Sequence, residues 1–398
     1  MIALWTVACH VDSRPAGSGW QCDEGQCVCE EGLGDCDGLV ETGCETVIRT
    51  SQLHCGGCHR LCANGRCVDG RCVCYEDYAD CDGDAVNGCE SDLLIDAQDC
   101  GECGRDCLGG SCRDGACLAK VLYESTSPLS TPAMSSTMAC WAEDGNIAWL
   151  PAIGEEAQPT YRDDSFPECM AAWRDTLCWI AADQLRCAVL RQGESPRDEW
   201  MTGLSGAVGS CRIAVTSSDV FWVHAGSGEL HRQATSGGLP TLVATGVDHI
   251  AADRSHLYWV GVANDLHRVG ADGADEEIRT IDPSRAVLAL AAGEESIVYS
   301  WEGGAVPWGV QVLGKDGADQ GVAWSAGADC RVDVLAASVG GFYAGCTDGR
   351  WTGALVQVNM FTGTESVLAA DQVGLAAIAV HDNLVYWMTR SQLLRIVQ

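Results

Sequence analysis

Long hydrophobic runs and cationic side chains are both scarce in this sequence of 398 residues. No run reaches the roughly 18 to 20 apolar residues that a membrane-spanning helix needs. Only 24 lysines and arginines oppose 56 aspartates and glutamates, which gives a formal charge of −32. That charge repels the phosphates of nucleic acids and the headgroups of anionic lipids. We therefore predict that the protein has no nucleic-acid partner and no membrane span.

Catalytic signatures are missing as well. The sequence contains no G-x-S-x-G elbow, no H-E-x-x-H zinc motif and no phosphate-cradling glycine loop. Hydrolytic or redox chemistry needs a nucleophile, a base and an orienting group brought together. We predict that the chain is not an enzyme. The alternative is an enzyme that draws its catalytic residues from several repeats, because such a site escapes a motif search.

Cysteine, by contrast, is abundant. Of the 26 cysteines, 19 precede residue 118. A reducing cytosol would not keep so dense a framework of thiols oxidised. We therefore predict an extracellular or cell-surface location.

These cysteines repeat at an offset of 45 residues. Modules of this length bury too little apolar surface to fold alone, so crosslinks are expected to stabilise them. The 18 cysteines from Cys22 to Cys117 are even in number and evenly spread, which favours disulfides over a zinc–thiolate site, although spacing does not define the connectivity. The cysteines predicted to form disulfides here are Cys22, Cys27, Cys29, Cys36, Cys44, Cys55, Cys58, Cys62, Cys67, Cys72, Cys74, Cys81, Cys89, Cys100, Cys103, Cys107, Cys112 and Cys117.

One stretch imitates a haem attachment site. Cys55-Gly-Gly-Cys58-His59 offers two thiols and an adjacent imidazole at the spacing of c-type haem. The next copy of the module has Gly104 at the position of His59, whereas a haem in each copy would need the imidazole. We therefore reject haem and predict no cofactor, with calcium as the one ion to consider.

A loop in the second full module has oxygen ligands at alternate positions: Asp80, Asp82, Asp84, Asn87 and Glu90. Carboxylates spaced in this way converge on one hard cation in calcium loops. The matching loop of the preceding copy has Leu39 at its centre, which removes one ligand. Calcium bound in the second module is one interpretation, and an acidic turn held by flanking disulfides is the other.

The segments GQCVCEEGLGDC and GRCVCYEDYADC resemble the C-x-C end of EGF-like modules. The CGxCG pattern with its downstream cysteine resembles the Stig1-type cysteine-rich repeat. Both resemblances cover roughly residues 22–118. They imply a secreted disulfide module and imply no activity.

After residue 118 apolar positions alternate and turn signals recur, which is typical of strands. An aromatic side chain returns every 30 to 44 residues, close to the length of a four-stranded propeller blade. These positions are Trp149, Trp179, Trp222, Trp259, Tyr299, Tyr343 and Trp387. We predict an all-β fold in which disulfide-rich small repeat modules precede a β-propeller of seven blades. The alternative is six blades, because the first interval is short.

The last repeat ends at QLLRIVQ, after its third strand, and a strand-like segment, 119–126, precedes the first repeat. Pairing the two would complete the last blade and remove exposed sheet edges. The predicted organisation is a signal-like segment and linker over 1–21, cysteine-rich modules over 22–118 and a propeller over 119–398.

The phrase HLYWVGVANDLHRVGADGADEEIRTI resembles the YWTD repeat of the low-density-lipoprotein-receptor type of propeller. The likeness is to the aromatic strand and the following hairpin. The Thr-Asp pair of that motif is absent here. The resemblance therefore implies a fold more than a partner.

Two more disulfides and two repeated histidines are predicted in the propeller. Cys178 and Cys187 flank one turn and Cys330 and Cys346 flank another, so each pair suits a cross-strand bridge. Among the other three, Cys140, Cys169 and Cys211, one is expected to stay a free thiol. His231 and His267 occupy equivalent places in successive repeats, which predicts a packing or surface role over a metal site.

The opening segment MIALWTVAC resembles the tail of a bacterial lipoprotein signal, in which the first cysteine is acylated. This resemblance implies that Cys9 anchors the protein by a lipid, as in outer-membrane lipoproteins. The alternative is a terminus with one spare cysteine. A lipid anchor is the only membrane contact that the sequence predicts.

The function predicted from these features is non-enzymatic binding or adhesion outside the cell. A cysteine-rich stalk would present the propeller to a protein, peptide or glycan at the cell surface. The alternatives are a hydrolase or lyase that uses the central funnel of the propeller, and a structural component of an extracellular assembly. The sequence does not define the oligomeric state.

Overall fold

The computed structural model describes residues 19–23, 26–39, 41–84, 86–151, 161–162, 167–191, 197–204, 212–224, 226–270, 272–325, 330–348 and 353–398. Within these ranges the regular elements are all β-strands, which confirms the predicted fold class. No helix in the described part of the chain is long and apolar enough to cross a bilayer. The chain divides between Lys120 and Val121 into a cysteine-rich unit and a propeller unit.

Short antiparallel ribbons make up the cysteine-rich unit. Each ribbon has two strands, and the pairs are β1 with β2, β3 with β4, β5 with β6, β7 with β8 and β9 with β10. The strands are β1 Trp20–Asp23, β2 Gln26–Cys29, β3 Leu33–Gly34, β4 Thr46–Val47, β5 Gly65–Val68, β6 Arg71–Cys74, β7 Tyr78–Ala79, β8 Ser91–Asp92, β9 Cys112–Arg113 and β10 Ala116–Cys117.

Sulfur forms the core of this unit. Among the described residues before Lys120, every buried apolar side chain belongs to a cysteine. The disulfides between described cysteines are Cys22–Cys27, Cys29–Cys44, Cys36–Cys58, Cys55–Cys67, Cys62–Cys72, Cys74–Cys89, Cys81–Cys103, Cys100–Cys112 and Cys107–Cys117. The last four repeat the second to fifth at the offset of 45 residues. Each module is therefore stabilised by the same four interlocked crosslinks.

The bridge between Cys22 and Cys27 breaks the repeat for a simple reason. These residues match Cys67 and Cys72, which also face each other across a ribbon. Cys67 and Cys72 bond to two cysteines upstream instead of to each other. The sequence has no cysteine at either matching upstream position of the half module. The facing pair therefore closes on itself.

Seven four-stranded sheets form the propeller unit. Blades 1 to 3 contain β12 Ser130–Met134, β13 Met138–Glu143, β14 Asn146–Pro151, β15 Tyr161–Arg162, β16 Cys169–Trp173, β17 Thr176–Ala181, β18 Gln184–Val189, β19 Arg197–Gly203, β20 Arg212–Val215, β21 Asp219–His224, β22 Glu229–Ala234 and β23 Thr241–Ala244. Blades 4 and 5 contain β24 Val247–Ala252, β25 Leu257–Gly261, β26 Asp265–Val269, β27 Asp275–Thr280, β28 Arg285–Ala292, β29 Ser296–Gly303, β30 Trp308–Gly314 and β31 Asp319–Trp324. Blades 6 and 7 contain β32 Arg331–Ser338, β33 Gly341–Asp348, β34 Leu355–Asn359, β35 Glu365–Ala369, β36 Ala377–His381, β37 Leu384–Met388, β38 Gln392–Val397 and β11 Lys120–Glu124. The count of seven blades is confirmed.

Large aromatic side chains on the second strand of each blade pack against the preceding blade. Trp179 lies in the cluster shared with blade 1, Trp222 in the one shared with blade 2 and Trp259 in the one shared with blade 3. All three are at most 4% exposed. Each such ring removes about 150 to 250 Å² from water, which accounts for the recurrence of aromatics along the sequence.

One of the seven aromatic positions, Trp149, does not lie on the second strand of its blade. The second strand of blade 1 carries Trp141, whereas Trp149 lies on the third strand. Trp141 also restores an interval of 38 residues to Trp179. In blade 6, Tyr343 does lie on the second strand and packs toward blade 7, while its neighbour Phe342 packs toward blade 5. The error has a physical cause: both faces of every sheet are covered by a neighbouring blade, so either face of a strand accepts an aromatic ring.

The outer strand of blade 7 comes from the beginning of the propeller unit. Strand β11 pairs with β38, so the chain ends of the unit meet in one sheet. The ring of Tyr123 on β11 lies 4.8 Å from that of Trp141 in blade 1. The hydroxyl of Tyr123 donates to Glu143 at 2.6 Å, and Ser125 and Trp141 donate to the same carboxylate. Glu143 therefore links the closing strand to the next blade.

Acid is expected to weaken this closure. Burial raises the pKa of Glu143, but the hydrogen bonds from Ser125, Tyr123 and Trp141 outweigh it and hold the pKa below its ordinary value. A depressed carboxyl pKa contributes stability that is present above the unfolded pKa of about 4.3 and is lost as the pH falls through the folded pKa. The melting temperature of Glu143→Gln should therefore be lower than that of wild type at neutral pH. The difference between the two should disappear in acid. Asp144→Asn, at the exposed neighbouring position, is the control. A difference in melting temperature between Glu143→Gln and wild type that stays the same at every pH would contradict this role of Glu143.

Candidate functional site

The innermost strands of the seven blades follow one another around the ring. Each starts at the same end of the ring, since every blade repeats one topology. Charged side chains lie where three of these strands begin, in one ion-paired set between blades 3 and 4 and another between blades 5 and 6. The channel mouth, as we call this group, comprises Arg212, Asp248, His249, Glu302, Arg331 and Asp333.

Ion pairs neutralise most of the channel mouth. Arg212 of blade 3 contacts Asp248 of blade 4 at 3.0 Å. Arg331 of blade 6 lies 3.3 Å from Asp333 and 3.7 Å from Glu302 of blade 5. All five side chains are between 36% and 47% exposed, a range in which water screens the charges. These pairs fix the polar rim of the channel and contribute little to stability.

His249 is the one histidine of the channel mouth. Its Nε2 lies 3.1 Å from the carbonyl oxygen of Leu288 in blade 5. A carbonyl only accepts, so Nε2 carries the proton and Nδ1 is the basic nitrogen. Nδ1 is buried, makes no hydrogen bond and lies 3.5 Å from a carboxylate oxygen of Asp248. Burial lowers the pKa of His249, and the nearby Arg212 adds to that effect against the opposing carboxylate of Asp248. The imidazole is thus neutral at neutral pH, with its basic atom hidden from the channel.

Each repeated histidine stacks on the tryptophan of the adjacent strand in its own blade. His231 lies directly opposite Trp222 with the rings 5.6 Å apart, and His267 lies opposite Trp259 with the rings 3.9 Å apart. Both pairs are stacked nearly parallel, at 15° and 12°. A carboxylate two positions earlier faces each ring, at 3.6 Å from His231 and 2.9 Å from His267. This is the repeated packing role that the sequence predicts.

Among the described aromatic side chains of the propeller unit, one is exposed to solvent. Phe361, on the turn between β34 and β35, is 81% exposed, whereas Phe221 and Phe342 are 1% and 0% exposed. Val339, on a neighbouring turn of the same blade, is 74% exposed. The ring of Phe361 lies against Gly340, where an added Cβ would come within 3.3 Å of it. We call Val339 and Phe361 the apolar knuckle.

The turn that carries the knuckle is held by hydrogen bonds. The side-chain oxygen of Asn359 accepts from the backbone N–H groups of Phe361 and Thr362, at 2.9 and 3.1 Å. The backbone N–H of Asn359 donates to Thr364, and that of Gly363 returns to Asn359. An Asx turn of this kind fixes local backbone geometry. Phe361 is therefore presented to solvent by an ordered hairpin.

The structure brings three of the five predicted calcium ligands together. Oxygens of Asp80, Asp82 and Glu90 lie within 4.8 Å of one another. Asp84 instead accepts from the backbone N–H of Val86, and Asn87 donates to Asp82.

The same triad recurs in the preceding module, as Asp35, Asp37 and Glu45. Leu39 therefore removes no member of the cluster. Backbone N–H groups already donate to these carboxylates in both copies. These contacts favour the acidic turn, and calcium stays a prediction.

Both thiols of the haem-like stretch are engaged in disulfides. Cys55 bonds to Cys67, and Cys58 bonds to Cys36. His59 has a backbone φ of 61°, and Gly104 at the matching position has a φ of 79°. The position needs a left-handed residue in each module, which glycine adopts readily. His59 therefore serves the turn.

The remaining cysteines fall into three groups. Cys178–Cys187 and Cys330–Cys346 are disulfides of the propeller, and Cys169 is disulfide-bonded too. Cys140 is a free and buried thiol, and burial raises its pKa. It is therefore the unreactive free thiol expected among the three inner cysteines. Cys9 and Cys211 lie outside the described residues.

Sequence reasoning missed the channel mouth and the knuckle. No local pattern marks the mouth, because its residues come from four blades. Phe361 lies in the turn NMFTGT, where an aromatic residue among turn formers is a usable signal. A comparison of the repeats would have found it, since in the other blades the described aromatic residues lie on strands.

No protein-family model and no curated protein sequence matches this chain. Solved structures do match its propeller. A virginiamycin B lyase from Staphylococcus aureus has a TM-score of 0.55 at 9% identity, covering 70% of this chain and 99% of the lyase. An oligogalacturonate lyase in complex with manganese has a TM-score of 0.51 at 12% identity, covering 71% and 93%. A computationally designed protein, Ika8, has a TM-score of 0.50 at 15% identity, covering 70% and 98%. At these identities the likeness shows the fold alone.

Proposed function

We propose that this protein is a non-enzymatic binding protein of the cell exterior, in which a cysteine-rich unit carries a propeller that contacts a protein partner. The disulfides indicate an oxidising, extracellular compartment. We further propose that the cysteine-rich modules are of the EGF-like or Stig1 type, that the propeller is of the YWTD type and that Cys9 carries a lipid anchor. An acyl chain on Cys9 would appear as added mass on its tryptic peptide.

The apolar knuckle is the observation that supports a protein partner. Leaving a phenylalanine exposed forgoes about 2 to 3 kcal/mol of burial. Exposed aromatics of this kind are typical anchors of protein interfaces. Because the Asn359 turn already fixes the hairpin, docking orders few additional groups. An aromatic ring beside a valine fits an apolar pocket on a protein better than it fits a glycan or a charged ligand.

The channel mouth favours binding over catalysis. Its carboxylates are paired with arginines, and the basic nitrogen of its histidine is buried. A general base must reach the proton that it removes, within about 3 Å. The lyases that share the fold do not change this assessment, because their identities of 9% and 12% transfer no residue roles.

A photocrosslinking experiment tests the knuckle. Phe361 is replaced by p-benzoyl-phenylalanine in cells that secrete the chain, and the crosslinked partner is identified and purified. Binding of that partner to Phe361→Ala should be at least about tenfold weaker than to wild type, as for an interface anchor. The melting temperature should not change, because Phe361 is 81% exposed.

Leu239→Ala is the matched control. Leu239 is 90% exposed on a turn of blade 3, far along the ring from blade 6. We expect Leu239→Ala to bind the crosslinked partner with the affinity of wild type. Equal affinity for Phe361→Ala and wild type would overturn the proposal.

A further inference from the structure

One segment of the acidic chain is cationic. Residues 46–75 contain four arginines and one aspartate, a net charge of +3, although the whole chain carries −32. The matching segment of the next module, 91–120, contains three cationic and six acidic residues, a net charge of −3. The two segments have the same disulfides. The cations are therefore not needed for the module to fold.

The cationic segment includes the ribbon of β5 and β6. Cys67 faces inward, and its neighbours Arg66 and Val68 face outward. On β6, Arg71 and Val73 are exposed in the same way. Across the ribbon, Arg66 lies opposite Val73 and Val68 lies opposite Arg71.

Tyr75 follows on the same outward face. Val68, Val73 and Tyr75 are 43%, 49% and 53% exposed. We call Arg66, Val68, Arg71, Val73 and Tyr75 the ribbon face. It alternates guanidinium groups with apolar side chains.

The repeat shows that this face is specific to one module. Arg66 and Arg71 correspond to Ser111 and Ala116 in the next copy, and Tyr75 corresponds to Lys120. Residues that a module needs for folding recur in each copy, as the cysteines do. A face that appears once is the expected mark of a site.

Both arginines of the ribbon face are available to a ligand. Arg49 of the same segment is engaged, at 2.7 Å from Asp69. Arg66 and Arg71 make no ion pair with any described residue and are exposed. Guanidinium groups bind carboxylates in a planar, two-point geometry. Arg66 and Arg71 are diagonal neighbours on the ribbon, a placement that separates the Cα atoms of two residues by about 7 to 8 Å.

The ribbon also has an open edge. Strand β6 pairs with β5 alone among the described strands. An extended peptide binds such an edge through its main chain and is selected through its alternate side chains. Side chains on one face of a strand recur every second residue, so a peptide strand that complements the ribbon face carries carboxylates and apolar side chains in turn at those positions.

We infer that the ribbon face binds an extended acidic segment of a partner protein, in which carboxylates and apolar side chains take turns at every second residue and so share one face of the segment. The carboxylates contact Arg66 and Arg71, and the apolar side chains contact Val68, Val73 and Tyr75. This inference goes beyond the proposed function, because it gives the cysteine-rich unit a binding site of its own. The site does not depend on the knuckle at Phe361.

Fluorescence anisotropy with the full, disulfide-intact chain tests the inference. The probe is a fluorescein-labelled peptide of eight residues in which glutamate and valine alternate at the odd positions and serine fills the even positions, so that both kinds of side chain lie on one face of the strand. The double variant Arg66→Ala/Arg71→Ala should bind it at least about tenfold more weakly than wild type, since two charge-assisted contacts are lost. Binding should also weaken as salt is added.

Matched variants and peptides make each outcome decisive. Arg105→Ala/Arg113→Ala removes the two arginines of the next module and should bind within about twofold of wild type, because those residues lie outside the ribbon face. Phe361→Ala should bind the peptide as wild type does, which separates this site from the propeller. A peptide with serine in place of valine should bind less well than the probe.

Three results would overturn the inference. One is no binding of the probe to wild type at millimolar concentration. Another is an equal loss in the Arg105/Arg113 control. The third is equal affinity for the serine peptide or for dextran sulfate, which would show a general attraction of anions.

Discussion

Leu122→Asp is expected to lower the melting temperature of the propeller by roughly 10 °C, the largest effect of any single change on the closing strand. Leu122 is 8% exposed on β11, which completes blade 7. An unpaired charge at a buried position costs about 3 to 5 kcal/mol. The sheet of blade 7 would lose its outer strand and expose the edge of β38. Differential scanning calorimetry of the full chain measures the shift.

Val121→Asp is the control for this variant. Val121 precedes Leu122 on the same strand and is 43% exposed. It adds the same charge to the same strand without burying it, so we expect a shift of at most about 2 °C. Equal shifts for the two variants would show that β11 does not close the ring.

Mild reduction is expected to unfold the cysteine-rich unit while the propeller stays folded. Each disulfide restricts the unfolded chain by about 2 to 4 kcal/mol, and the buried apolar side chains described in this unit are all cysteines. Without the crosslinks no apolar core remains to hold the ribbons. The propeller disulfides Cys178–Cys187 and Cys330–Cys346 are at most 1% exposed and lie within large apolar clusters.

Hydrogen exchange before and after treatment with a phosphine reductant measures this difference. Amides of residues 29–117 should lose protection by at least about a hundredfold, because that unit is expected to unfold completely. Amides on β17 and β33 should exchange as before and serve as the internal control. Retained protection in the cysteine-rich unit would mean that something other than sulfur holds it.

The fold was predictable because it depends on repetition. One aromatic residue in each blade and one set of cysteines in each module give a periodic signal, and seven blades follow from it. Trp149 was misplaced because Trp141 and Trp149 lie on adjacent strands that are both buried. The recurrence of aromatic residues therefore predicts the length of the repeat more reliably than it predicts which strand of a blade carries the aromatic residue.

Disulfide connectivity was not predictable from spacing. Cys67 and Cys72 face each other on a ribbon, yet they bond to Cys55 and Cys62. Their counterparts in the half module bond to each other. The choice depends on which partners the chain brings near, which is a property of the folded module.

The candidate sites needed the structure for a related reason. They are places where the repeat fails: Phe361 on a turn, and Arg66 and Arg71 on one ribbon only. A departure from a repeat is visible in the sequence, but its exposure and its neighbours are not. The exposure of these residues and the register of their strands identified the apolar knuckle and the ribbon face.

Disulfide mapping of the native protein, by proteolysis without reduction followed by mass spectrometry, tests the central claim most directly. We expect linked peptides for Cys36–Cys58 and for Cys81–Cys103, its copy 45 residues later, with Cys140 as a free thiol. Reduced cysteines that retain a metal, or linkages that differ between the two modules, would contradict it.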